Sequence, residues 1–168
     1  MERGVELDKV KTNAMRILEK AGIKYNTYAY DNSDGLIDGI SVACKIGCPV
    51  EKVYKTLVAQ GTSREFYVFI IPVAAELDLK AAARSVGEKA VEMIKVADIN
   101  KVTGYIRGGC SPIGMKKEYK TVLDSSCKAM DTIIVSAGKI GHQIELAPED
   151  LIKLTGCRTE AVCARGNL

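Results

Sequence analysis

The stretch "VYKTLVAQ" (residues 53–60) runs into "GTSRE" (61–65) and then "FYVFIIPV" (66–73). The two outer runs are rich in β-branched, aliphatic and aromatic residues, the composition of strands. The spacer between them is short and carries a glycine, so the pair reads as an antiparallel hairpin. The second run is apolar almost throughout, which implies burial on both faces. Side chains alternate along the first: Val53, Lys55, Leu57 and Ala59 share one face, and Tyr54, Thr56, Val58 and Gln60 the other. An ammonium group therefore keeps company with three apolar side chains. Either its stem snorkels to water from a sheet edge, or the charge lines a cavity where an anionic or polarised group arrives.

Upstream of the hairpin, "KVKTNAMRILEKA" (9–21) places Val10, Ala14, Ile17, Leu18 and Ala21 at helical spacing, with Asp8 as a cap and Gly22 just past the end. "KYNTYAY" (24–30) predicts a strand and "DNSDG" (31–35) a loop. Ile37, Ile40, Val42, Ala43 and Ile46 predict the apolar side of a short helix, stopped by Gly47 and Pro49. Downstream, Asp78 caps a helix with Leu79, Ala82, Ala83 and Val86 inward, and Gly87 ends it. A short strand follows at 91–93 and a short helix at 96–104. A brief strand at Tyr105 then enters the loop that ends at Gly114. Further strands are expected in "YKTVLDSS" (119–126) and "DTIIVSAGKIGHQIEL" (131–146), the latter broken at 136–141. Pro148 opens a last helix with Glu149 and Asp150 in its first turn, and Gly156 closes it. "RTEAVCA" (158–164) reads as an edge strand. Hairpins separated by short helices predict a mixed α/β sheet or barrel, and not a parallel doubly wound fold.

The chain has 168 residues, 47% of them hydrophobic, which suits one domain with a real core. That domain is expected to span 1–168, with its core at about 9–164. A net charge of +3 is too small to announce a nucleic-acid protein, so any RNA contact has to be a local patch. Six cysteines occur without a C-x-x-C pair and with one histidine, which argues against a structural zinc site. The charged start "MERGVELDKVK" has no apolar core of a secretory leader, so free thiols in a reducing cytoplasm are expected. No apolar run is long enough for a membrane-spanning helix.

The loop Gly108-Gly109-Cys110-Ser111-Pro112-Ile113-Gly114 carries the strongest local signal for chemistry. Its glycines and proline permit backbone turns that aim amide N–H groups at a carbonyl oxygen or an anion; an ordinary surface turn has the same composition. "VSAGKIG" (135–141) is a second small-residue loop, with Ser136 where its strand ends. That hydroxyl either meets a substrate or satisfies turn backbone. Tyr30 ends the early strand and either faces a cavity or covers the core. Protein nucleophiles fare poorly: His142 alternates with Ile144 and Leu146 like a packed strand residue, and Cys110 has no evident base. The basic cluster "KKEYK" (116–120) is either solvated or touches phosphates.

Taken together, "VYKTLV", "GGCSPIG" and "VSAGKIGHQIELAPEDL", in this order and at these distances, resemble the YbaK/EbsC family of bacterial aminoacyl-tRNA deacylases, nearest the branch that clears Cys-tRNA(Pro). The resemblance runs from about Lys11 to about Ala164. It implies a single α/β domain with a mixed, mostly antiparallel, barrel-like sheet and flanking helices, similar to the editing domain of some prolyl-tRNA synthetases. It implies Lys55 as the essential strand lysine, with Tyr30, Thr56, Gly108, Gly109, Pro112 and Ser136 as substrate-binding positions and no cofactor. Relatives often carry an aromatic residue near Ile37 or Asp38, and tolerate other residues at Cys110 and His142. The implied reaction is trans-editing of misacylated Cys-tRNA(Pro), and of Cys-tRNA(Cys). In it the substrate's own thiol cleaves the aminoacyl ester, with prolyl-tRNA synthetase as partner. The alternatives are a deacylase for another small amino acid, as in Ala-tRNA(Pro), and a non-catalytic RNA- or nucleotide-binding module.

Overall fold

The structure is a computed structural model that describes residues 10–164. Helix α1 (Asn13–Lys20) leads to strand β1 (Asn26–Ala29) and helix α2 (Gly39–Ile46). Strands β2 (Tyr54–Gly61) and β3 (Phe66–Pro72) form the hairpin, followed by α3 (Leu79–Val86), β4 (Val91–Met93) and the short α4 (Ile99–Thr103). Strands β5 (Lys120–Asp124), β6 (Ile133–Ser136) and β7 (His142–Leu146), helix α5 (Pro148–Thr155) and strand β8 (Arg158–Glu160) complete it. One sheet has the order β4-β2-β3-β5-β8 and the other β1-β7-β6. All pairings are antiparallel except β3–β5 and β5–β8, which are parallel. A parallel bridge between Val53 and Ile134 joins the sheets. The expected α/β architecture, with its mixed and mostly antiparallel sheet, is present, and the strands stop short of closing a ring.

The hairpin has the register its sequence dictates, with Lys55 opposite Ile71 and Thr56 opposite Ile70. Strand β3 is flanked on both edges and covered on both faces, so Tyr67, Val68, Phe69, Ile70 and Ile71 are all buried. Val68 and Ile70 join a core under α1 and α5 that includes Met15, Leu18, Ile144 and Leu151. Phe69 and Ile71 join a second core under α3 with Ala82, Ala83 and Val86. Each such side chain contributes about 1.5–3 kcal/mol, which makes β3 the element on which both layers depend.

Several local expectations need correction. Helix α1 begins at Asn13, capped by the Thr12 hydroxyl, which accepts from the Met15 amide at 3.2 Å; Asp8 lies outside the described residues. Leu79, expected inward, is 42% exposed, and Ile40 on α2 is 52% exposed. Each lies in the first turn of an eight-residue helix, where the apolar stripe runs past the edge of the core. The brief strand expected at Tyr105 is absent. There the chain folds back on itself: the Thr103 hydroxyl accepts from the Tyr105 amide at 3.0 Å, and the Tyr105 hydroxyl donates to the Ile113 carbonyl at 2.5 Å.

Candidate active site

Strand β2 is paired with β3 along its length, but its other edge is covered only at the ends. Val53 bridges β6 at one end, and Ala59–Gly61 pair with β4 at the other, where the Ile94 amide also donates to the Val58 carbonyl at 3.2 Å. The edge between these points has no strand beside it. A cavity of about 110 Å³ occupies this gap, walled by Val53, by β2 from Tyr54 to Thr56 and by Gly108, Cys110 and Ser136. Because the edge itself forms the wall, residues from both faces of the strand reach the lining.

The sequence-predicted residues divide into two groups. Lys55, Thr56, Gly108 and Ser136 line the cavity together. Lys55 is partly buried, has no salt bridge or side-chain hydrogen bond among the described residues, and is the one ionised side chain of the lining. The Thr56 hydroxyl is buried and has no partner. The Ser136 hydroxyl accepts from the Gly138 amide at 3.1 Å, so it serves its turn and keeps its proton free to donate into the cavity. Tyr30, Gly109 and Pro112 stand outside the lining. Tyr30 donates its amide to the Gly141 carbonyl at 2.9 Å, and its own hydroxyl is buried without a partner. Gly109 rests on the second loop, where a Cβ would come within 3.2 Å of the Ile140 nitrogen. Pro112 borders a separate hollow with Ile17 and Tyr119.

The two glycine loops thus meet by backbone contact. Gly108 has φ +83°, and a Cβ there would approach Ile37 Cδ1 to 2.7 Å, so only glycine fits both the turn and the wall. The Gly109 amide is taken by the Ile106 carbonyl and that of Ile113 by the Ser111 hydroxyl. Those of Gly108 and Cys110, which line the cavity, have no protein partner among the described residues, which leaves donors available to an oxygen there. On the opposite wall Gly39 abuts Val73, with 2.2 Å between its virtual Cβ and Val73 Cγ1.

Sequence reasoning missed Gln143. It lies opposite both Ser136 and Tyr28 in register, on the face of β7 that opens to the cavity, and it is 6% exposed. The motif "HQIEL" held the signal: in a half-buried strand Gln143 and Glu145 fall on the face opposite Ile144 and Leu146. Glu145, on the same face, is buried behind the site. It accepts from the Lys52 ammonium at 2.8 Å, the Tyr28 hydroxyl at 2.7 Å, Asn26 Nδ2 at 3.5 Å and the Thr132 hydroxyl. Burial pulls this carboxyl upward, but the Lys52 ammonium and the other donors outweigh it and hold it at about 2.

Cys110 is the one thiol in the cavity wall. Burial pushes it up to about 11, so it stays a neutral thiol near pH 7 and a poor nucleophile. Cys110→Ala is therefore expected to retain the parent reaction rate within about twofold, read by turnover. A drop of a hundredfold or more would make it the nucleophile. His142 is not part of the lining, and burial lowers its basicity further. The site offers a cation, free hydroxyls and amide donors, which suit an electron-rich carbonyl or phosphate oxygen.

The sequence model of the aminoacyl-tRNA editing domain matches residues 40–154, which include the β2 edge and both glycine loops. The chain belongs to the aminoacyl-tRNA editing domain family. This editing domain is 47% identical over 145 residues to EbsC of Enterococcus faecalis, named as a candidate Cys-tRNA(Pro)/Cys-tRNA(Cys) deacylase, covering 86% of this chain and 88% of EbsC. Its fold is similar to that of a crystal structure described as a candidate trans-editing enzyme for prolyl-tRNA synthetase. There the TM-score is 0.77 at 21% identity, over 93% of this chain and all of the other. The hypothetical protein APE2540 shares the fold with a TM-score of 0.81 at 18% identity, over 89% of this chain and 97% of that one.

Proposed function

We propose that this editing domain is a trans-acting deacylase that removes cysteine from misacylated Cys-tRNA(Pro), and from Cys-tRNA(Cys). The observation that carries the reading is the cavity beside β2. It is sized for a few atoms, about four waters' worth, and carries one cation and an unpartnered Thr56 hydroxyl but no competent nucleophile or base. The likeness to EbsC supplies the substrate class.

In this mechanism the cavity folds the cysteinyl group so that its own sulfur, on losing its proton, attacks the ester carbonyl carbon. The carbon–oxygen bond to the terminal ribose breaks, the ribose oxygen takes up a proton, and a thiolactone remains for water to open. Lys55 and the free amides of the Gly108 loop stabilise the charge that develops on the carbonyl oxygen, while Thr56 and Ser136 fix the amino group or the ribose. The first step is lyase-like and the net result is hydrolysis. Tyr30, Gly109 and Pro112 support the site from outside the lining: Tyr30 and Gly109 brace the second loop, and Pro112 shapes the first. Prolyl-tRNA synthetase is the proposed partner, since it generates the error and the small net charge gives the chain little hold on tRNA alone.

A deacylation panel tests this. Cys-tRNA(Pro) is expected to be cleared at least tenfold faster than Ala-tRNA(Pro) or Ser-tRNA, because neither competitor carries a thiol. The same cavity also has room for alanine. Equal rates on Ala-tRNA(Pro) would replace thiol attack by water attack. Thr56→Val keeps the shape and removes the hydroxyl, so it is expected to lower turnover of Cys-tRNA(Pro) about tenfold while leaving stability unchanged or higher. A fully active valine variant would remove Thr56 from the site.

A further inference from the structure

Tyr105 is not part of the cavity lining, yet it touches both of the glycine loops that supply the lining. Its backbone is fixed against α4: the amide donates to the Thr103 hydroxyl at 3.0 Å, and the carbonyl accepts from Asn100 Nδ2 at 3.4 Å. From there the partly buried side chain reaches the first loop, where its hydroxyl donates to the Ile113 carbonyl at 2.5 Å. Its ring lies against Gly138 of the second loop. A Cβ on Gly138 would come within 2.9 Å of Tyr105 Cε1, and one on Gly114 within 2.9 Å of the Tyr105 hydroxyl. Both glycines have positive φ, +96° and +81°. One glycine in each loop therefore makes room for the same ring.

We infer that Tyr105 is a positioning residue for the deacylation: it sets the separation and angle of the two glycine loops, and through them the places of the Ser136 hydroxyl and of the Gly108 and Cys110 amides. The assignment rests on the deacylase reading and adds to it a residue that stands outside the lining.

Geometry is the first argument. The loops already meet where Gly109 rests on the Ile140 backbone. One such point leaves two loops free to pivot about it, and a second contact through Tyr105 removes that freedom. Connectivity is the second argument. The amide of Gly138, the residue that the ring packs on, is the donor to the Ser136 hydroxyl at 3.1 Å, so a displaced ring moves the group that orients this hydroxyl. On the first loop Ile113, whose carbonyl takes the Tyr105 hydroxyl, donates its own amide to Ser111 Oγ at 3.2 Å, which ties the bond into the turn that follows Cys110. Burial and the nearby Cys110 thiol raise the phenol above its ordinary value, so it remains a donor at neutral pH.

The test uses the full chain with Tyr105→Phe, which removes the hydroxyl bond, and Tyr105→Leu, which also removes the ring. Tyr119→Phe is the control: its hydroxyl likewise donates to a backbone carbonyl, that of Val102 at 2.6 Å, but its ring packs edge-on against Phe66 of β3. On Cys-tRNA(Pro), Tyr105→Phe is expected to lower kcat about threefold and Tyr105→Leu about thirtyfold, with KM within about twofold; a misplacement of about 1 Å can cost roughly a hundredfold. Tyr119→Phe is expected to leave both constants within about twofold. Because part of the effect passes through Gly138 to Ser136, the cost of Tyr105→Leu is expected to shrink to about tenfold in a Ser136→Ala background. Hydrogen exchange supplies a readout that needs no substrate. Tyr105→Leu is expected to quicken amide exchange about tenfold in 108–114 and 136–141 alike, with β3 unchanged.

A chain that clears Cys-tRNA(Pro) while Tyr105→Leu keeps the parent kcat would overturn the assignment. So would exchange that quickens in one loop and not the other, or a loss of kcat that is the same in the Ser136→Ala background. A chain that clears no misacylated tRNA, yet in which Tyr105→Leu loosens both loops together, would instead overturn the deacylase reading and support Tyr105 as the tie between them.

Discussion

Lys55→Ala is expected to retain the fold and lose about 10²- to 10³-fold in kcat/KM on Cys-tRNA(Pro), the scale observed when one group that stabilises an oxyanion is removed. The fold should survive because the Lys55 side chain has no salt bridge or hydrogen bond to lose among the described residues and is not part of either core cluster around β3. The activity should not, because Lys55 is the one ionised side chain of the small cavity. Lys55→Arg should restore little: a planar guanidinium is larger and directs its donors in a fixed fork, whereas the ammonium acts as a compact point charge. Circular dichroism and the melting temperature monitor the fold, and single-turnover release of free tRNA monitors the chemistry. An alanine variant that releases tRNA at the parent rate would remove Lys55 from the mechanism.

The second large effect is on stability. Glu145→Gln keeps the shape of the side chain but removes the charge that pairs with Lys52, and it places an amide among donors that need acceptors. With a carboxyl held at about 2 against roughly 4.3 in an unfolded chain, the native state gains about 3 kcal/mol at neutral pH. Partial exposure of Lys52, at 30%, trims the expected loss in the variant to about 2–3 kcal/mol. The depressed carboxyl contributes fully above its unfolded value, and the contribution drains away as pH falls from about 5 through about 2. Urea unfolding at pH 7 and pH 3 should therefore separate parent and variant widely at the first and by roughly half as much at the second. A gap below about 0.5 kcal/mol at pH 7 would show that the network contributes nothing to stability.

What the sequence disclosed, and what it withheld, follows from the range of the interactions concerned. The hairpin was legible because alternation, apolar density and a Gly-bearing spacer all act within a few residues. The caps at Asp78 and the stops at Gly47, Gly87 and Gly156 are local in the same way. The parallel pairing of β3 with β5 was not legible, because nothing within either strand names a partner so distant along the chain. The site shows the same division. Lys55, Gly108 and Ser136 stood out by residue type in unusual surroundings, Thr56 came only from the resemblance, and all four share the cavity. Gln143 went unnoticed because a glutamine in a strand is unremarkable until its register with Ser136 is known. Tyr30, Gly109 and Pro112 come from the same loops and strand ends as the lining residues, yet a step of one or two positions turns them elsewhere.

Because Tyr67 pairs with Lys120, β5 can dock on β3 only after a long intervening segment has closed on itself. Such closure is entropically slow, and non-local strand pairing generally sets the pace of self-assembly. The segment that has to be closed, residues 73–119, includes Gly108 and Cys110, so the cavity wall and the β3–β5 ladder depend on the same long excursion of the chain.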